Sequence, residues 1–229
     1  MSLEIDTVSD KIPGLVDGAE YSPLLADDEW GVNDSTFLRY AERVACASGG
    51  YPEDVIDGLK QRFGTGGDHS VLDVAGGSNG RAVQDLLELG VMRNGLVTNF
   101  QDFRSSATRS VVELGHVSGN LSDVTTWKSI RAWRDRHAPD GFSLTTFFPV
   151  AALHEFSTRF YLNRLGELLD MAMPGGLLLL TVPEPVQNLM SEESYMCTLD
   201  QNPAVAKVEF APRLSFTQCK PYYVTIEKA

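Results

Sequence analysis

Cysteine is scarce in this chain: Cys46, Cys197 and Cys219 are its only three, and none stands in a C-x-x-C spacing, so neither a disulfide framework nor a zinc site is predicted and no metal is expected. Long apolar runs are missing as well. The longest, Leu177 to Val182, is far too short to span a bilayer, and the acidic N-terminal residues lack the basic start and apolar stretch of a secretory signal. A soluble, cytoplasmic protein that does not engage a membrane is the expectation. Basic charge is the third shortage. Lysine and arginine number 19 against 31 acids, a net charge of −12. Residues 1 to 35 hold nine of those acids (Glu4, Asp6, Asp10, Asp17, Glu20, Asp27, Asp28, Glu29 and Asp34) against Lys11 alone. From residue 36 onward, 22 acids face 18 bases. That leaves no basic field to displace counterions from a phosphate backbone, and a nucleic-acid substrate is disfavoured. The basic cluster Lys128, Arg131, Arg134 and Arg136 falls on one predicted helix and reads as a solvated face.

What is present is an alternation. With 229 residues and 43% hydrophobic content, the chain can build one α/β domain with a substantial core and a modest extension. Asp34 or Ser35 can cap a helix whose apolar positions Phe37, Tyr40, Ala41 and Val44 repeat at helical spacing. A second helix carries Val55, Ile56, Leu59 and Phe63 on one face, and GTGGDHS leads on as a connector. Strand candidates follow at Ser70 to Ala75, Gly95 to Phe100, His116 to Asn120, Phe142 to Phe148 and Gly176 to Val182. Helices lie between them, the clearest at Thr158 to Met173 and another at Thr125 to Arg136. Strands alternating with helices imply βαβ units in a parallel, doubly wound sheet. VAKVEFA and YYVTIEKA then read as two strands with no helix between them, so they should pair antiparallel. The expected organisation is an acidic segment and helical cap over residues 1–66 and a Rossmann-like domain over 67–229.

Val71 to Gly80, VLDVAGGSNG, carries the chemistry. An apolar strand holding one acid, Asp73, runs into a glycine-rich turn, and a helix follows with its free N–H groups facing whatever binds there. Two cofactor classes fit. The dinucleotide fingerprint G-x-G-x-x-G is met with one substitution by Ala75, Gly77 and Gly80. The fingerprint D-x-G-x-G-x-G of S-adenosylmethionine (SAM) enzymes is met in part by Asp73, Ala75 and Gly77, with Asn79 at its last glycine. Asp73 separates the two, because an acid just ahead of the turn suits a ligand presenting an ammonium group rather than a pyrophosphate. A glycine-rich strand-to-helix turn with no ligand is the competing structural reading.

Several separated segments resemble one family, the class I SAM-dependent methyltransferases, and within it the small-molecule O-methyltransferases of the plant type. DVAGGSNG resembles their DVGGGTG turn, TNFQDF their NFDLP, and GHVSGNLSD their EHVGGDMF. The stretch from Leu153 to Glu184, LHEFSTRFYLNRLGELLDMAMPGGLLLLTVPE, is similar to their LHDWSDE, P-G-G-ended helix and fifth strand. The likeness spans about Val71 to Glu184, half of the chain; residues 1 to 65 are too few for the family's helical dimerisation domain. The resemblance implies a sheet of order 3-2-1-4-5-7-6 with a small helical cap, and SAM as cofactor. It places Asp73, Ala75, Gly76, Gly77 and Asn79 around the methionine and ribose portion. Gln101 stands where the family has the acid that accepts both ribose hydroxyls; an amide offers one accepting oxygen where a carboxylate offers two, and Asp102 next door can substitute. Asn120 stands where an acid faces the adenine amino group, and Leu121 and Phe147 complete the implied cofactor contacts.

His154 falls on the family's catalytic histidine, after the fourth strand, at the sheet edge where ligands of open α/β folds bind. A neutral imidazole there can take a hydroxyl proton as a methyl group is transferred. His69, His116 and His137 read as structural, away from that edge. Tyr21, Trp30, Phe37 and Tyr40, the turn Phe147 to Ala152 and the loop Pro183 to Met196 are candidates to line an apolar pocket for a small organic acceptor. Trp127 and Trp133, at helical spacing with Ile130, read as helix-to-sheet packing. The function expected is SAM-dependent methylation of a small molecule, most naturally at oxygen, by a monomer or homodimer. Two alternatives stay open: the same fold catalysing a reaction without methyl transfer, such as a cyclisation, or a non-catalytic partner whose acidic N-terminus docks on a basic protein.

Overall fold

The computed structural model describes residues 37, 38, 40, 41, 51–76, 80–99, 102, 106–147, 158–182, 187, 191–210 and 222–229. Phe37, Leu38, Tyr40 and Ala41 are helical. Helix α1 (Pro52–Phe63) starts on a proline, carries Glu53 and Asp54 in its first turn and Lys60 and Arg62 in its last, the charge order that suits the helix dipole. The Tyr51 amide donates to the Asp54 carboxylate at 3.0 Å, and Gly64, at φ 74°, closes the helix.

From there the chain runs β1 (Ser70–Val74), α2 (Arg81–Glu88), β2 (Asn94–Asn99), α3 (Ser106–Arg109), β3 (Leu114–Ser118), α4 (Val124–His137), β4 (Phe142–Phe147), α5 (Thr158–Met171), β5 (Ala172–Val182), α6 (Glu192–Asp200), β6 (Val205–Phe210) and β7 (Tyr222–Lys228). The seven strands form one sheet of order β3-β2-β1-β4-β5-β7-β6. β1 pairs in parallel with β2 and β4, whereas β7 enters antiparallel between β5 and β6. This is the strand order that the family resemblance implies, and the closing hairpin is antiparallel as expected.

Helices cover both faces. On one, α4, α5 and α6 bring Trp127, Ile130, Tyr161, Leu165, Leu168, Tyr195 and Leu199 against Leu72, Val74 and Phe147. On the other, Phe37, Tyr40 and Ala41 join α1 and α2 against Val71, Val97, Leu144 and Leu179. Successive strand residues point to opposite faces, so Asp73 and Thr146, two positions beyond Val71 and Leu144, turn toward the face that Tyr40 covers. The helical residues between 37 and 63 thus share a core with the sheet.

Two expectations about α4 divide. Its tryptophans do pack inward: Trp127 is buried, and Trp133 stacks on Phe142 with ring centroids 5.8 Å apart and planes at 8°. The basic cluster is not simply a solvated face. Arg131 pairs with Glu167 and Arg134 donates to the Asp170 carbonyl at 3.5 Å, so two of the four cations tie α4 to α5. Among the described residues no helix is long and apolar enough to cross a membrane.

Candidate functional site

β1 is buried along its whole length, as a central parallel strand must be, and its one acid is therefore buried too. Asp73 is 0% exposed. The parallel register sets it beside Thr146, whose hydroxyl donates to Asp73 Oδ1 at 2.6 Å. The Tyr40 hydroxyl approaches the same carboxylate at 3.4 and 3.5 Å. Loss of water outweighs these two donors, and burial pushes the carboxyl from its ordinary 3.8 up to about 7. Tyr40 thus has a place that the expectation of a substrate contact did not foresee: its ring is core and its hydroxyl serves Asp73.

The turn after β1 needs unusual backbone. Ala75 sits at φ 58°, a left-handed conformation that strains any residue with a Cβ. Its amide donates to the Thr98 hydroxyl and the Gly76 amide to the Thr98 carbonyl, each at 3.2 Å. A Cβ on Gly76 would collide with the Asp73 carboxylate and with Val97, so only glycine leaves the space in front of Asp73 open. Gly80, at φ 62°, precedes α2. Gly77 and Asn79 lie outside the described residues, as do Gln101 and His154 and the candidate pocket residues Tyr21 and Trp30.

A second cluster forms beyond β2. Asp102 is partly exposed, with Arg109 Nε at 3.6 Å and His116 Nδ1 at 3.9 Å from its carboxylate; the Arg109 guanidinium also reaches the Asp102 carbonyl at 3.4 Å. The His116 side chain, 3% exposed and read from the sequence as structural, lies in β3 with this approach to Asp102, a contact the sequence reading did not foresee. The other two described histidines are structural: His69 meets Ser143 at 3.0 Å, and His137 stacks on Trp133 with centroids 4.7 Å apart.

The loop after β3 is held by its own side chain. Asn120 Oδ1 accepts from the Ser122 amide at 2.8 Å, an Asx turn, and the Leu121 carbonyl accepts from the Trp127 indole at 2.7 Å. Asn120 can still offer its second lone pair to a ligand amino group. Phe147 departs from the expected contact, because its ring belongs to the core: it is 1% exposed and stacks on Tyr161 at 6.5 Å. What it can give a ligand is backbone. Behind it Tyr161 and Tyr195 share a hydroxyl contact at 3.0 Å, and burial raises both phenols above their ordinary value, so they stay protonated.

Among the described residues no cluster of three histidine, cysteine or acidic side chains could hold a metal ion. A cleft of about 390 Å³ between α1 and the strands β5, β7 and β6, with Leu59, Arg62, Leu177, Lys207 and Glu227 in its walls, contains none of the candidate residues. Sequence reasoning missed Thr146, Arg109, His116 and the Tyr40 hydroxyl. The signal for Thr146 was a polar residue in a central strand whose register could set it beside a buried acid.

No family model matches the sequence, and no curated protein does either. Solved structures do match. SMU.1697c of Streptococcus mutans, assigned as a methyltransferase and crystallised with S-adenosylhomocysteine (SAH), is 15% identical with a TM-score of 0.50, covering 77% of this chain and 97% of its own. An O-methyltransferase family protein from Burkholderia thailandensis is 14% identical over 93% of this chain and 68% of its own, with a TM-score of 0.46. The N-methyltransferase NodS from Bradyrhizobium japonicum is 9% identical over 77% and 93%, at 0.45. The last two superpositions are too loose to add to the assignment. The first agrees with the strand order, and the chain has the class I SAM-dependent methyltransferase fold.

Proposed function

We propose that the protein is a SAM-dependent methyltransferase acting on a small organic molecule, with oxygen as the acceptor atom. The observation that carries this is Asp73: a fully buried carboxylate at the end of β1, facing space that a Cβ on Gly76 would fill. Such a group is costly to bury and has no ion-pair partner among the described residues, so it suits a ligand that brings its own cation. Asp102 offers two acceptor oxygens at the end of β2, where a ribose would lie, and Arg109 steadies it. The residues present therefore fit SAM, and the Streptococcus mutans protein that shares this fold was crystallised with SAH.

SAM, when bound, supplies an electrophilic methyl group on sulfur. The chain's own contribution is placement in a dry site, since an in-line displacement depends chiefly on holding the nucleophile in a near-attack arrangement. Asp73 accepts the ammonium, Asp102 the ribose hydroxyls and Asn120 the adenine amino group. His154 takes the acceptor's proton at an imidazole nitrogen. The net charge of −12 is consistent with a small acceptor rather than a nucleic acid.

Calorimetric titration with SAH tests the reading, and saturable binding is the expected result. His154→Ala should then lower turnover on a hydroxyl acceptor by roughly two to four powers of ten while leaving SAH affinity nearly intact. Absence of SAH binding would overturn the proposal. A second reading keeps the fold without the transfer and is favoured by Asn120, whose amide oxygen already serves the Ser122 amide. SAH binding without methylation of any acceptor would support it.

A further inference from the structure

The two hydroxyls on Asp73 come from separate parts of the chain. Thr146 is brought in by β4, and its 2.6 Å contact is in the short range of a hydroxyl donating to a charged oxygen. Tyr40 arrives from the helical residues near the N-terminus and straddles both carboxylate oxygens at longer distance. Packing requires neither oxygen, because valine and phenylalanine would fill the same volumes. From these contacts we infer that Thr146 and Tyr40 form a hydroxyl clamp that holds Asp73 as the ionised, accepting carboxylate that the cofactor's ammonium group needs, and that both are positioning residues of the methyl-donor site.

The inference rests on Asp73 being the ammonium acceptor. Burial on its own favours a neutral carboxylic acid, which has a proton to donate where the ligand needs an acceptor. The clamp acts against that loss: both hydroxyls reach the carboxylate, which receives them better when ionised, and the Thr146 contact at 2.6 Å is much shorter than the 3.5 Å from its hydroxyl to the Leu72 carbonyl. The surroundings supply little else. β2 contributes Val97 and Thr98, whose hydroxyl accepts from the Ala75 amide. On α2 the charged groups are Asp85, which accepts from the Phe37 amide at 2.8 Å, Arg81, which pairs with Asp85 at 2.8 Å, and the exposed Glu88, which pairs with Arg81 at 3.1 Å. Among the described residues, the titratable side chain in hydrogen-bond contact with Asp73 is Tyr40. Asp85 thus anchors the helical segment at Phe37, three residues before the tyrosine that touches the site. Ammonium binding and the seating of this segment are linked through one hydroxyl.

The test is SAH calorimetry from about pH 6 to about pH 9 on the full chain, with Thr146→Val, Tyr40→Phe and Thr146→Ser beside the wild type, and the Asp73 carboxyl carbon followed by NMR. Wild-type affinity should rise as pH passes about 7. Thr146→Val should bind on the order of tenfold more weakly near pH 6 and recover toward wild type near pH 9, and Tyr40→Phe should do the same at roughly threefold, in keeping with its longer contact. Thr146→Ser should restore most of the affinity. Equal affinity at every pH, or a loss that is the same at every pH, would overturn the clamp. If Thr146→Val does not fold, Tyr40→Phe is judged by the same criterion. Should the wild type bind no SAH, the proposed function falls, and the clamp is decided by NMR alone: an Asp73 midpoint raised in both variants supports it, an unmoved one ends it.

Discussion

Asp73 sets the residue scale, because the property that fits it to a cation also makes it a burden to the fold. Its native value of about 7 lies above the ordinary 3.8, so between those values the native state keeps a proton that the unfolded chain has released. Stability present at low pH is therefore lost as pH rises toward 7, by at most about 4 kcal/mol from this group. Asp73→Asn removes the titration while its amide oxygen can still accept from Thr146. In a series of thermal melts, the variant should gain on the wild type as pH rises from about 5 to about 8. Its SAH affinity should fall by on the order of 1 to 3 kcal/mol. Parallel pH dependence of the two proteins would show that Asp73 is not the group under strain. The acid and its glycine-rich turn were legible in the sequence, since a lone carboxylate in an apolar run is conspicuous. Its partners were not: Thr146 lies 73 residues away and Tyr40 33, and only the register of β1 on β4 and the helical cover bring them together.

Elements were more legible than contacts, and their ends less so than their centres. β1, β2 and β4 fall within a residue or so of the predicted ranges. β5 starts at Ala172 rather than at Gly176, because α5 stops at Met171 and Ala172 already pairs with Phe142, the register then shifting across the P-G-G segment before Leu177 meets Leu144. β3 begins at Leu114 rather than at His116. Gly115, in the same strand, is where α4 meets the sheet: a Cβ there would fall within 3 Å of the Trp133 indole. Gly115→Ala should destabilise the protein by about 1 to 3 kcal/mol through overpacking. Combining it with Trp133→Leu should cost less than the two separate effects added together, since the two residues share one contact. Additive denaturation midpoints would mean that the indole moves aside freely.

For the whole molecule, the closing hairpin was readable from two strands with no helix between them and the strand order from the family resemblance, and the hairpin lies where that resemblance puts it, with β7 inside β6. The surplus of acids has a consequence at this scale too. A short RNA or DNA duplex titrated at low salt should show no anisotropy change, because a net charge of −12 repels a polyanion at the ionic strength where attraction would be strongest; salt-sensitive binding would count against a small acceptor. The position of β7 also governs how the protein can be made. β5 pairs with β7 along six residue pairs from Leu177 to Val182, and Arg62 on α1 reaches Glu227 at 2.7 Å. A nascent chain emerging from the ribosome therefore leaves one side of β5 unpaired until residues 222–228 are out, with most of the parallel sheet already translated. An open apolar edge held for that long is a template for the wrong strand, so the safe course is for the sheet to close late and all at once, when residues 222–228 arrive to cover β5.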